Sequence, residues 1–227
     1  MLVNNKTKGI YIAVLNQGGI RPELALLLTQ LTRYPNYNIY LDFPADKPIS
    51  HNRNSIVKRF LKMKDYDYLF MLDGDIIPPL NILDLADYQK DIIGGLCFAF
   101  MDNVIVPLIL RKQDPPPEGE KPYKVMDFEG NEGLVECDAI GSGCMMIKRE
   151  VLEKVKAPFL NIYDEDGIKK LGLDLSFCQR AKELGFKVWC HLDFPCSHWT
   201  TLDLKTFYGA LLLLKEKKED ICKGLLG

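Results

Sequence analysis

Charge of one sign is what this sequence most plainly lacks: 29 lysines and arginines stand against 31 aspartates and glutamates, a formal net charge of −2 over 227 residues. Near-balance excludes the basic footprint with which nucleic-acid-binding proteins neutralise phosphates. An N-terminal apolar run is also missing. The lysines between Met1 and Gly9 lead into an apolar segment at 10–15, too short for a signal-peptide core or a membrane span. A cytoplasmic protein is expected. No Cys-x-x-Cys pair occurs, and the cluster Cys190, His191, Cys196 and His198 matches no familiar zinc spacing. The seven cysteines are odd in number, irregularly spaced and mostly in apolar contexts, which predicts buried thiols rather than disulfides. Repeats, low-complexity tracts and linker-like stretches are absent too. A single domain over residues 1–200 is therefore expected, with a C-terminal helical extension over 201–227 packing on it.

What is present is a globular composition, 47% hydrophobic and 26% charged, in a chain long enough to bury one sizeable core. Apolar runs alternate with helical patterns, the signature of an α/β fold whose central, mostly parallel sheet is flanked by helices. Residues 10–15, 37–43 and 68–72 read as the first three strands. Between them Pro22 starts a helix through about Leu31, and Ser50 is the candidate N-cap of a helix presenting Ile56, Val57, Phe60 and Leu61. Pro78 and Pro79 predict a short helix over 80–86. Strands are then expected at 91–98, 104–110, from Val135, at 145–147 and at 186–190. Helices are expected at 149–155 and from Asp174 to Leu184, where Gly185 ends the second. Residues 204–226 read as an amphipathic helix whose mixed charges favour packing on the domain over a peripheral membrane contact.

The third strand runs straight into Asp73, Gly74 and Asp75. Carboxylates at i and i+2 of an extended chain point the same way, so the two can offer oxygens to one cation. Gly74 between them leaves room for a bulky anionic ligand to approach the backbone. Position adds to spacing, because ligands of open α/β sheets bind outside the carboxyl ends of the strands. Asp65 with Asp67, and Asp164 with Asp166, share the spacing, but neither pair follows a buried strand, and both read as loop carboxylates. Two charges at the end of a buried strand are costly without a cation or donors to satisfy them. Oxygen donors suit a hard cation such as Mg²⁺ or Mn²⁺ held jointly with phosphate, and an added imidazole would favour Mn²⁺. His198 is the candidate imidazole, with a packed or surface histidine as the alternative.

Three segments in order resemble family-2-like glycosyltransferases of the A-type (GT-A) fold. They are DYDYLFMLDGDIIPP (65–79), AIGSGCMMIKREVL (139–152), and GLDLSFCQRAKELGFKVW (172–189) followed by Ser197, His198 and Trp199. The resemblance spans most of residues 50–200. It implies a single Rossmann-like nucleotide-diphospho-sugar transferase fold. It also implies a metal-dependent enzyme that moves a sugar from a UDP- or GDP-sugar to a hydroxyl acceptor: a glycan, lipid-linked glycan, protein or small molecule. By the same resemblance Asp73 and Asp75 bind the cation that bridges to the donor's diphosphate, His198 is a further ligand, and Asp174 is the general base of inverting members. Leu173 stands where the family has a Glu, and Asp174 at a helix start also fits a plain N-cap. Asn16, Gln17 and Gly18 fall where relatives contact the base and ribose, and Arg53 and Asn54 where a basic-polar element reaches the donor. Asp42 and Asp46 are further candidates near the nucleoside, residues 141–143 for a tight loop near the sugar or acceptor, and Trp199 and Tyr123 for stacking on a sugar. Rival readings are a nucleotidyltransferase of related architecture, whose glycine-rich phosphate loop residues 16–21 match poorly, and a non-catalytic sugar- or nucleotide-binding relative.

Overall fold

In the computed structural model, which describes residues 7–16, 18–101, 104–118, 120–128, 130–201, 204–205, 207–209 and 211–212, the apolar runs become strands covered on both faces. Strands β1 (Lys8–Leu15), β2 (Tyr37–Asp42) and β3 (Tyr68–Asp73) are parallel, with β1 in the middle. Their side chains alternate: Tyr11, Ala13, Leu69 and Met71 enter one core, and Ile10, Ile12, Val14, Phe70 and Leu72 the other. Helix α1 (Pro22–Leu31) joins the second core through Leu24, Leu27, Leu28 and Leu31, and α2 (Ile49–Lys62) the first through Ile56, Val57 and Phe60. Each such buried side chain contributes roughly 1.5–3 kcal/mol. A one-residue slip of β1 or β3 would exchange the two faces, so the register is strongly specified.

After β3 come the two-residue strand β4 (Ile76–Ile77), a 3₁₀ turn over Ile82–Tyr88, and β5 (Ile92–Leu96). Strands β6 (Phe98–Met101) and β7 (Val104–Pro107) pair with each other. Then follow β8 (Ile109–Lys112), β9 (Tyr123–Val125), β10 (Leu134–Cys137) and β11 (Ala139–Ile140), of which β8, β9 and β11 form a separate small sheet. The chain continues through β12 (Cys144–Lys148), α3 (Arg149–Lys154), β13 (Ile162–Tyr163), β14 (Lys169–Leu171), α4 (Leu173–Glu183), β15 (Val188–Pro195) and β16 (Ser197–His198).

The central sheet has seven strands in the order β10-β15-β5-β12-β3-β1-β2. Strand β15 runs parallel to β5, but β12 lies antiparallel between β3 and β5, and β10 is antiparallel at the edge. The sheet is an α/β sheet flanked by helices, more mixed than its apolar runs predict. From β1 the chain crosses outward to β2 on one side and β3 on the other, so the carboxyl ends of β1 and β3 meet at a switch in strand order, with Leu15 opposite Asp73.

Several boundaries differ from expectation for local reasons. Pro48, not Ser50, occupies the N-cap position of α2, and Asn52 N–H bonds the Pro48 carbonyl at 3.1 Å. The segment predicted as a helix at 80–86 is a 3₁₀ turn, with Ile82 N–H on Pro79 O and Asp84 N–H on Asn81 O. The run 91–98 breaks at Cys97 and the run 104–110 at Leu108, where Leu108 N–H donates to Cys97 O at 2.8 Å. Helix α4 begins at Leu173 with Gly172 at its cap position, so Asp174 lies inside the first turn and is not the N-cap. The six described cysteines are free and buried. No helix among the described residues is long and apolar enough to cross a membrane. Residues 204–205, 207–209 and 211–212 are helical; the rest of the expected 204–226 helix, Cys222 included, lies outside the described residues.

Candidate functional site

The site grows from the end of β3. Asp73 N–H donates to Gly143 O at 2.9 Å and Gly74 N–H to Leu15 O at 2.7 Å, which fixes the acidic turn between β1 and β12. Gly143 is needed there for close approach: a Cβ on it would lie 2.9 Å from Asp73 Oδ2 and overlap Ile76. The missing side chain of Gly74 makes room first for β1, since a Cβ there would sit 3.0 Å from Leu15 O.

The short ladder of β4 with β16 sets His198 opposite Ile76, one residue beyond Asp75, and Trp199 N–H donates to Asp75 O at 2.9 Å. His198 Nδ1 lies 2.5 Å from Phe98 O. A carbonyl oxygen can only accept, so Nδ1 carries a proton, and in the neutral ring Nε2 presents its lone pair. That nitrogen faces Asp75 Oδ2 at 3.4 Å. Two lone pairs set face to face require a proton or a cation between them. Asp75 and an imidazole backed by a carbonyl fit a hard divalent cation of the Mn²⁺ or Mg²⁺ kind, while Asp73, turned toward Arg53, does not complete a three-ligand cluster with them as the side chains stand.

Asp73 turns toward Arg53, whose Nη2 lies 3.2 and 3.3 Å from its two oxygens, while Arg53 Nη1 bonds Ser142 O at 3.4 Å. Burial pushes the Asp73 carboxyl above its ordinary value; Arg53 pulls it down, and the Asp174 and Asp75 charges raise it further. Asp174 is held from two sides by one residue: Ser142 N–H donates to Oδ2 at 3.1 Å and Ser142 Oγ–H to Oδ1 at 2.5 Å. Ser142 itself is fully buried.

Around this core lies an open cleft of about 1310 Å³, lined by Asp73, Gly74, Asp75, Arg53, Asn16 and Asp46 among others. Two further lining residues, Arg21 and Asn52, were invisible to sequence patterns. Arg53 Nε and Asn52 Oδ1 are buried atoms with no hydrogen-bond partner, Arg21 Nε is buried 3.4 Å from Glu23 Oε2, and all three residues line the cleft. Unused buried guanidinium donors are costly alone and suit an anionic oxygen. Arg21 also stacks on Trp199, its guanidinium carbon 3.8 Å from the ring centroid, so one face of that indole is already taken.

Not every candidate converges here. Asn54 clips α2 to Phe159, donating to Phe159 O at 2.8 Å and accepting from Phe159 N–H at 3.1 Å, and does not line the cleft. Asn16 lines it, yet its side-chain oxygen accepts from Gly18 N–H at 3.0 Å, which makes the pair a turn. Gly18 is exposed with φ 112°, and Gln17 lies outside the described residues. Asp42 is bound by Tyr11 Oη–H at 2.5 Å and by Arg59 at 2.8 Å, so it is a structural carboxylate rather than a nucleoside contact. Asp67 accepts from Gly9 N–H and Asp164 from Asp166 and Ile168 N–H, as expected of loop acids. Tyr123 is buried, in the wall of a second pocket of about 440 Å³ that Asp174 and Gly141 also line.

No family model matches the chain, and neither does any curated protein. Solved structures do resemble it. A197 from STIV is 20% identical, with a TM-score of 0.56 over 86% of this chain and 86% of its own. GalNAc-T7, solved with UDP, GalNAc and Mn²⁺, is 12% identical, with a TM-score of 0.50 over 87% of this chain and 44% of its own. The fold is a GT-A-like glycosyltransferase fold.

Proposed function

We propose that this chain is a cation-dependent glycosyltransferase that moves a sugar from a UDP- or GDP-sugar to a hydroxyl acceptor inside the cell. The observation that carries this is Asp75 Oδ2 facing His198 Nε2 at 3.4 Å, beside a desolvated Asp73 at the carboxyl end of β3. GalNAc-T7, of similar fold, was solved with UDP and Mn²⁺, which supports a nucleotide-sugar donor and Mn²⁺ here.

Asp73, Asp75 and His198 would hold the cation, which when bound neutralises the charge that grows on a departing nucleoside diphosphate. Arg53 offers its unused Nε–H donor to diphosphate oxygens on the cleft wall, and Arg21, paired through Nε with Glu23 at 3.4 Å, adds positive charge beside it. Asn16 and Asp46 line the same cleft and are the candidates to meet the nucleoside. Asp174 accepts the proton of the incoming hydroxyl: each of its oxygens spends one lone pair on Ser142 and keeps another. Ser142 thus orients the base, and its backbone carbonyl holds Arg53, so the donor and acceptor sides share one buried serine.

Thermal-shift measurements with UDP, GDP and other nucleoside diphosphates, with and without Mn²⁺, test the assignment, since a ligand of the native state raises its melting temperature. The cation-dependent part of the shift is expected to vanish in Asp75→Asn and His198→Ala. Asp174→Asn is expected to keep the shift and lose about 10²–10⁴-fold in transfer rate. Release of pyrophosphate from a nucleoside triphosphate would favour a nucleotidyltransferase instead, and nucleotide binding without any transfer would favour a non-catalytic relative.

A further inference from the structure

The turn from Gly141 to Gly143 separates two cavities of opposite character. On one side lies the polar cleft with Asp73 and Arg53; on the other is the pocket of about 440 Å³, a volume within the range of small-molecule sites. Asp174 lines this second pocket. Its remaining walls are mainly aliphatic, with Val106, Leu108, Leu110, Ile140, Leu171 and Leu175 prominent. Among the described residues, the only side chains there with a hydrogen-bonding group besides Asp174 are Tyr123, Lys121 and Lys170. A saccharide lying flat in this space would bury many hydroxyls against methyl groups, each at the cost of an unmade hydrogen bond. An alkyl or aryl body would lose no such bonds and would gain the free energy of leaving water.

The rim extends the argument. Val104 and Val125, also in the lining, are 55% and 39% exposed, so the apolar wall continues out of the pocket toward solvent. Both charged lining residues other than Asp174 are lysines, in a chain of net charge −2. Building on the glycosyl-transfer assignment above, we infer that the acceptor is an amphiphile: a hydroxyl compound whose apolar chain or ring fills the pocket beyond Asp174 and whose anionic group meets Lys170 at the rim. The hydroxyl then comes to Asp174, the carboxylate that lines the pocket among the described residues.

Binding of n-octyl phosphate below its micelle concentration, followed by calorimetry, tests this without turnover. Octyl phosphate is expected to bind at least tenfold more tightly than n-octyl glucoside, and inorganic phosphate and glucose not measurably. Val106→Asp and Lys170→Glu, at half-buried and exposed positions, are each expected to weaken octyl phosphate at least tenfold. Their nucleotide-induced thermal shift should stay that of the parent protein, which reports that the fold is intact. Nucleotide binding with no octyl phosphate binding overturns the inference, as does acceleration of nucleotide release by glucose or a polar oligosaccharide equal to that by octyl compounds. Octyl phosphate binding that Val106→Asp and Lys170→Glu leave unchanged also overturns it. Octyl phosphate binding without any nucleotide binding would instead leave the amphiphile site standing and remove the transferase assignment.

Discussion

Asp73 sits between two opposing pressures: its burial and the neighbouring carboxylates favour the proton, and the Arg53 guanidinium favours the charge. Its folded-state value is raised, so in the cation-free protein its protonation favours the fold at acid pH, and that contribution is lost as pH rises through the raised value. A cation competes with the same proton. The Mn²⁺-induced gain in melting temperature is therefore expected to shrink on acidification, starting above the range where an ordinary aspartate titrates, and a pH series of melting curves measures it. A gain that persists down to the usual aspartate range would mean that Asp73 is not a ligand. At this scale the sequence was legible where chemistry sits next to a pattern: Asp73 and Asp75 end an apolar strand. Arg21 and Asn52 were not, and Ser142 was read only as part of the 141–143 loop and not as the partner of Asp174 and Arg53, because these distant segments meet only through the topology. Asn54 misled because α2 turns about 100° per residue, so that Arg53 faces the cleft while its neighbour faces Phe159.

Among elements, α2 carries Arg53 and is anchored at its far end by Arg149. That guanidinium donates to Met63 O and Tyr66 O at 2.6 Å, reaches Phe60 O and Leu61 O at 3.3 and 3.4 Å, and stacks over the Phe60 ring at 4.3 Å. It satisfies the carbonyls that any helix leaves orphaned at its C-terminus. Arg149→Ala is expected to cost about 2–3 kcal/mol in urea unfolding. Arg149→Lys should recover little of this, because an ammonium lacks the planar fork. A loss under about 0.5 kcal/mol, the scale of ordinary surface substitutions, would show that water serves those carbonyls as well. The strands β1 to β3 and helix α1 were readable from apolar spacing, prolines and length. Strand β12 was readable as a strand but not in direction, since Met145, Met146 and Ile147 are buried on both faces and a continuous apolar run carries no arrow.

Across the whole molecule, the short strands proposed to receive ligand are less heavily paired than the central ones. Strand β3 is hydrogen-bonded to β1 and β12, whereas β4 and β16 share only a two-residue ladder. Opening free energies follow such differences. In hydrogen exchange, Mn²⁺ with a binding nucleoside diphosphate is expected to slow residues 75–77, 197–199 and the stretch 18–21, and to leave β1 to β3 unchanged. Uniform slowing across the sheet would instead point to stabilisation without a local site. The α/β class and the sheet's central strands were legible before any coordinates. The two cavities were not, because their walls come from loops and small sheets whose pairing no local spacing reveals.

The carbonyl that fixes the His198 imidazole belongs to Phe98, and Phe98 opens the same hairpin that offers Val104 and Val106 to the apolar chamber. On the proposed assignment, a cation on the imidazole and a compound in the apolar chamber would bear on one short backbone segment, and each would change the other's affinity by the same factor whichever entered first.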